Sequence, residues 1–166
     1  MSPASPSPSP RSGRIAPPVC DSFRVLSITP APRRPHAGGY VDAPLHILVM
    51  DADAAATAQL ATRLYRRGQG VALAGDPREA LALLQSTRFD LLVAHVEVPG
   101  RDGLAWIERL VSRPGRPEIA LISNQASLQL AIRAANLPLA GYFPKPITDT
   151  ALDHLIARVR ARPHGR

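Results

Sequence analysis

LLVAHVEVPGRDG (residues 91–103) sets an apolar run against an imidazole and then turns through Pro-Gly and Asp-Gly. A short apolar run bounded by turn residues is the mark of a strand buried on both faces, as in a parallel sheet. The run DLLVA (90–94) is read as that strand, which leaves His95 where the chain departs from the sheet. The residues that follow, DGLAWIERLVSR (102–113), form a helix with Leu104, Ile107 and Val111 near one stripe. Whether the histidine does chemistry or only fills space depends on what surrounds it.

The flanking sequence repeats the same alternation. LHILVM (45–50) is a first buried strand, and Asp53 is placed to cap an Ala-rich helix running to about Arg67. GVALA (70–74) is the next strand. DPRE (76–79) starts a helix by a known mechanism: Asp76 caps, Pro77 suits the first helical position, and Glu79 reaches back as in a capping box. Leu81, Leu83 and Leu84 give that helix its inner face. EIALIS (118–123) is the fourth strand, Ser127 to about Ala135 a weaker helix, and AGYF (140–143) the fifth strand. A last helix, from about Thr148 or Asp149 to Arg160, aligns Leu152, Leu155, Ile156 and Val159 at i, i+3, i+4 and i+7.

Strands alternating with helices predict an α/β domain, a doubly wound five-stranded parallel sheet with five helices. Right-handed crossovers then place helices on both faces. Ligands of such sheets lie outside the carboxyl ends of the strands. Asp51, His95, Ser123 and, just past the fifth strand, Lys145 fall at those ends.

Composition bounds the remaining choices. The 166-residue chain is 45% hydrophobic but only 4% aromatic, so its core must be aliphatic. No stretch approaches the roughly 18 apolar residues of a membrane span. The N-terminus lacks the basic-then-apolar pattern of an export signal, and the single cysteine, Cys20, cannot form an internal disulfide. A cytoplasmic location is expected. Among 20 basic residues only Lys145 is a lysine, and the net charge is +7. The arginines are scattered, apart from Arg158, Arg160 and Arg162, so direct nucleic-acid binding is not expected. Residues 1–44, opening on SPASPSPSP (2–10), are expected to form a disordered Pro/Ser/Arg-rich tail, with FRVLSI (23–28) as a weak docking strand at most. The folded domain is then 45–162, followed by a short tail, 163–166.

ILVMDAD (47–53), FDLLVAHVEVPGRDGL (89–104), IALIS (119–123) and GYFPKPI (141–147) together resemble the receiver domains of two-component response regulators. The resemblance covers about residues 45–160, and the Pro-Gly/Asp-Gly-Leu turn and the Lys-Pro after the fifth strand are its most specific pieces. It implies the flavodoxin-like receiver fold and a pocket that takes a phosphoryl group from a phosphohistidine onto an aspartate. In that family an acidic pair and the acceptor aspartate hold Mg²⁺. Asp51 matches the first acid, Ser123 the hydroxyl that ends strand four, Lys145 the lysine, and Tyr142 the aromatic that often rotates on activation. Two positions depart: Ala52 stands where the second acid belongs, and His95 where the phosphoryl acceptor belongs.

These departures imply a receiver fold without receiver chemistry: no catalytic residues, no enzyme activity and loss of Mg²⁺. The expected role is protein–protein interaction with a histidine kinase, another regulator or an output protein, or homodimerisation through the last helices and the fifth strand. His95 is open to several readings: a phosphoryl carrier, a ligand for a softer metal with Asp51 and Asp53, a pH-responsive group, or a filler that hydrogen-bonds a neighbour. Glu97 is the remaining weak metal candidate, against a plainer reading as a solvated loop carboxylate. Asp51 and Lys145 are expected to pair across the pocket. Phosphorylation at a non-standard residue and small-ligand binding are the alternatives. RRGQG (66–70) lacks the spacing of a phosphate loop, and Ser123, His95 and Asp51 lack a nucleophile elbow. The chain ends a few residues after the last helix, so a transcriptional role is expected to need a partner.

Overall fold

The structure, a computed structural model, describes residues 43–98, 101–124 and 127–162. The tail expected over 1–44 therefore falls almost wholly outside the described residues, as does 163–166. The described chain runs β1 (His46–Met50), α1 (Ala54–Arg66), β2 (Gly70–Ala74), α2 (Pro77–Ser86), β3 (Leu91–His95), β4 (Glu97–Val98), β5 (Arg101–Asp102), α3 (Gly103–Val111), β6 (Glu118–Ser123), α4 (Leu128–Ala135), β7 (Gly141–Pro144) and α5 (Asp149–Ala161). Five strands form one parallel sheet in the order β2-β1-β3-β6-β7. The strand order reverses direction between β1 and β3, the place where sheets of this kind bind ligands beyond the carboxyl ends.

Alternation along the strands sorts the core into two layers. Ile47, Val49, Leu91, Val93, Ala120 and Ile122 face α1 and α5, where Leu60, Leu64, Leu152, Leu155, Ile156 and Val159 meet them. Leu48, Met50, Leu92, Ala94, Ile119 and Leu121 face the opposite way, toward Ala80 of α2, Leu104, Ile107 and Leu110 of α3, and Ala134 of α4. Central strands buried on both faces explain why their sequences read as continuous apolar runs.

The helix starts follow the sequence signals with small changes. Asp53 accepts from Ala55 N and Ala56 N, Asp76 from Arg78 N and Glu79 N, and Thr148 from Ala151 N. Glu79 does reach back, but to Gly75 N at 2.7 Å rather than to the backbone N–H of the cap. The fully buried residue of α2 is Ala80, and Leu81, Leu83 and Leu84 only pack partly against the core. In α3 Leu110 joins Leu104 and Ile107 in the core, with Val111 only partly buried, and the helix ends at Val111 rather than Arg113.

One feature was not expected. After His95 the chain folds back on itself as a two-residue antiparallel ladder, with Glu97 opposite Asp102 and Val98 opposite Arg101. Gly103 begins α3 directly beneath Val96, where an added Cβ would lie 1.7 Å from the Val96 carbonyl oxygen. Only glycine permits that approach.

Candidate functional site

The carboxyl ends of β1, β3 and β6 bring three polar residues into the interior: Asp51 is 3% exposed, His95 7% and Ser123 0%. Burying a carboxylate is costly unless it is paired and hydrogen-bonded. Both Asp51 oxygens are met. Oδ1 accepts from Asp53 N at 3.0 Å and faces His95 Nδ1 at 3.1 Å, while Oδ2 accepts from Lys145 Nζ. The Asp51–Lys145 pairing is the one expected from sequence. Lys145 itself follows β7, where its N–H donates to Ser123 O at 2.8 Å and its peptide bond to Pro146 is cis.

Glu97 completes the cluster. Its Oε1 accepts from Ser123 Oγ at 2.6 Å, and its Oε2 accepts from Asn124 N at 2.8 Å and lies 2.5 Å from His95 Nε2. The reading of Glu97 as a solvated loop carboxylate is therefore corrected: it belongs to the site. The signal that finds it is strand parity. In an extended chain residues i and i+2 point the same way, so Glu97 follows His95 to the same side. What hid it was the two-residue ladder, too short to leave a pattern in the sequence.

The two ring nitrogens of His95 thus face two carboxylates. An ionised carboxylate only accepts hydrogen bonds, so both contacts are satisfied when each ring nitrogen carries a proton. The Lys145 ammonium faces the second Asp51 oxygen. Charge balance of this kind offsets the cost of taking Asp51 out of water.

The remaining candidates stand apart. Ala52 is exposed and places no polar side chain in the cluster. Asp53 is exposed and serves α1: bonds from Ala56 N and Ala55 N hold its carboxyl below the usual carboxylate range. Thr57 bridges the same turn, donating to Asp53 O at 2.7 Å and approaching Asp51 O at 3.3 Å. Tyr142 pairs with Leu121 across β6 and β7 and packs on the α2–α3–α4 side of the sheet. Its phenolic oxygen is buried with no hydrogen-bond partner among the described residues. Among those residues no group of three His, Cys, Asp or Glu side chains is arranged to hold a metal ion.

A parallel sheet of this order, with an acid after β1, a hydroxyl ending β6 and a Lys-Pro after β7, defines a receiver domain. Residues 47–157 match the response regulator receiver domain family, and the chain belongs to it. This is the receiver class of two-component signalling, whose members interact with kinases and other proteins. The response regulator MprA of Mycolicibacterium vanbaalenii is 36% identical over 118 residues, which cover 71% of this chain and 50% of MprA. The chain spans about half the length of such curated relatives. Among solved structures, the non-phosphorylated HemR receiver domain of Leptospira biflexa has a TM-score of 0.63 at 27% identity, covering 74% of this chain and all of that one. A Burkholderia pseudomallei response regulator solved with a phosphorylated aspartic acid, calcium ion and citrate has a TM-score of 0.61 at 25% identity, covering 70% of this chain and 67% of that one. Five parallel strands with helices on both faces is the fold foreseen from sequence. Among the described residues no helix is long and apolar enough to cross a membrane.

Proposed function

We propose that this receiver domain works by protein–protein contact and forms no acyl phosphate at the end of β3. The observation that carries the reading is the position of His95. It is the last residue of β3, it is buried, and both ring nitrogens face carboxylate oxygens. An acyl phosphate needs a carboxylate oxygen as the nucleophile, and this residue supplies none. The Burkholderia relative, by its description, carries a phosphorylated aspartic acid and a calcium ion. By the family resemblance, the acceptor position in this chain falls on His95, an imidazole.

The donor set also argues against Mg²⁺. That ion takes hard oxygen ligands in near-octahedral geometry and keeps several waters. Ala52 offers no side-chain oxygen, and His95 presents nitrogen. The oxygens of Asp51 and Glu97 are all engaged by protein donors. Mg²⁺ placed here has to compete with Lys145 for Asp51.

With the pocket closed in this way, what the domain offers a partner is surface. On α4, Leu128 is 76% exposed and Ile132 55% exposed, four residues apart and therefore on one face. A histidine kinase, another regulator, an output protein or a second copy, meeting the α4–β7–α5 side, is the class of partner this suits. The setting is cytoplasmic. The test is incubation with a small phosphodonor such as acetyl phosphate and millimolar Mg²⁺, read by intact mass. The mass is expected to stay unchanged. A phosphoryl adduct mapping to Asp51, His95 or Glu97 contradicts the reading.

A further inference from the structure

We propose that the Glu97 carboxylate is a built-in ligand for the carboxyl end of β6, fixing the corner at Ser123 and Asn124 without any added group. Glu97 sits in a ladder whose backbone is held opposite Asp102, so its side chain starts from a fixed base. From there one carboxylate spans two successive residues at the end of β6, taking the Ser123 hydroxyl on one oxygen and the Asn124 backbone N–H on the other. Hydrogen bonds to an ionised acceptor are shorter and about twice as strong as neutral ones. At 2.6 and 2.8 Å these two fall in that class.

The same corner is held from its other side, where Lys145 N donates to Ser123 O and Ser123 pairs with Pro144. His95 keeps the Glu97 carboxylate in place through Oε2, and is itself held by Asp51. A continuous chain of contacts therefore runs Lys145–Asp51–His95–Glu97–Ser123/Asn124, joining the ends of β1, β3, β6 and β7. Three residues after Asn124, Ser127 caps α4 by accepting from Leu130 N. The contact from Glu97 fixes the backbone of Asn124 at the end of β6. The corner is held in one conformation as part of the fold.

The readout at Asn124 needs no phosphodonor and does not depend on whether the end of β3 takes up phosphate, so this proposal and the function proposed above fail separately. The experiment is amide hydrogen exchange by NMR on the full chain, with no phosphodonor present, comparing the parent with Glu97→Ala and Glu97→Gln. Loss of a charge-assisted bond corresponds to exchange about 10- to 100-fold faster. That acceleration is expected at Asn124 in Glu97→Ala, with an upfield move of its amide proton, while Leu48 and Val49 in β1 exchange as in the parent. Glu97→Gln, which keeps one acceptor oxygen, is expected to give a smaller acceleration at the same site, and it carries the test alone if the alanine variant does not fold. An Asn124 amide unchanged in the folded variants overturns the proposal. So does equal acceleration at Asn124 and in β1, which marks a loss of global stability with no local fastening.

Discussion

At the carboxyl edge of the sheet, the Asp51 side chain is 2% exposed and holds Lys145, whose side chain is 15% exposed. Between α1 and α5, Asp149 and Asp153 keep 70% and 60% of their side chains in water while Arg63 and Arg67 reach over to them. Both regions join oppositely charged side chains from distant parts of the chain. They differ in solvent, and solvent decides their worth. A buried pair cannot lose one member cheaply, because the survivor is left without water. An exposed pair can, because water replaces the partner and salt already screens it.

The largest expected effect is therefore at the buried edge. Asp51→Ala leaves Lys145 and His95 facing an apolar methyl, and Lys145→Ala leaves the buried Asp51 without its ammonium partner. Each is expected to lower unfolding free energy by about 3 kcal/mol, the lower end of what breaking a buried pair costs, because Lys145 keeps some water. Denaturant melts measure it. Variants that melt like the parent remove the distinction between the two regions.

A smaller effect is expected on the α1–α5 surface. Asp149→Ala is expected to lower the melting temperature less than either buried-edge variant, with the gap from the parent closing as salt is raised toward about 1 M. The pH response sharpens the contrast. Arg63 and then Arg67 hold the Asp149 carboxyl below the usual carboxylate range, and Arg133 and then the Leu104 N–H do the same for Asp102. A folded-state value below the unfolded one means stability that is fully present above the unfolded value, near pH 4, and lost as pH falls through the folded value. Thermal melts from about pH 5 downward are expected to fall less steeply in Asp149→Asn than in the parent. An identical slope removes Asp149 from the acid response.

The same contrast explains what could be read from the sequence. The sheet was legible because its strands alternate between two apolar layers, as Ile47 and Val49 do against Leu48 and Met50. Helix starts were legible because Asp53, Asp76 and Thr148 cap through local bonds. The Asp51–Lys145 pair followed from where two strands end. Glu97 did not, because its direction is set by pairing with Asp102 across a two-residue ladder. Nor did the contact between Glu97 and Asn124, which come from opposite sides of α3 in the sequence and meet only through the β3–β6 pairing. Which partner each side chain takes at the sheet's edge depends on such junctions, where local pattern gives out.

On the function proposed above, the carboxyl edge is a receiver pocket closed by His95, with Asp51, Ser123 and Lys145 in place. The most direct test of this reading is the intact mass of the double variant Ala52→Asp/His95→Asp, beside the parent, after treatment with acetyl phosphate and Mg²⁺. The double variant restores two carboxylates near Asp51, where Ser123 and Lys145 already stand. It is expected to gain one phosphoryl group only when Mg²⁺ is present, while the parent gains none. A folded double variant that takes up no phosphoryl group, or a parent that takes one up, contradicts the account.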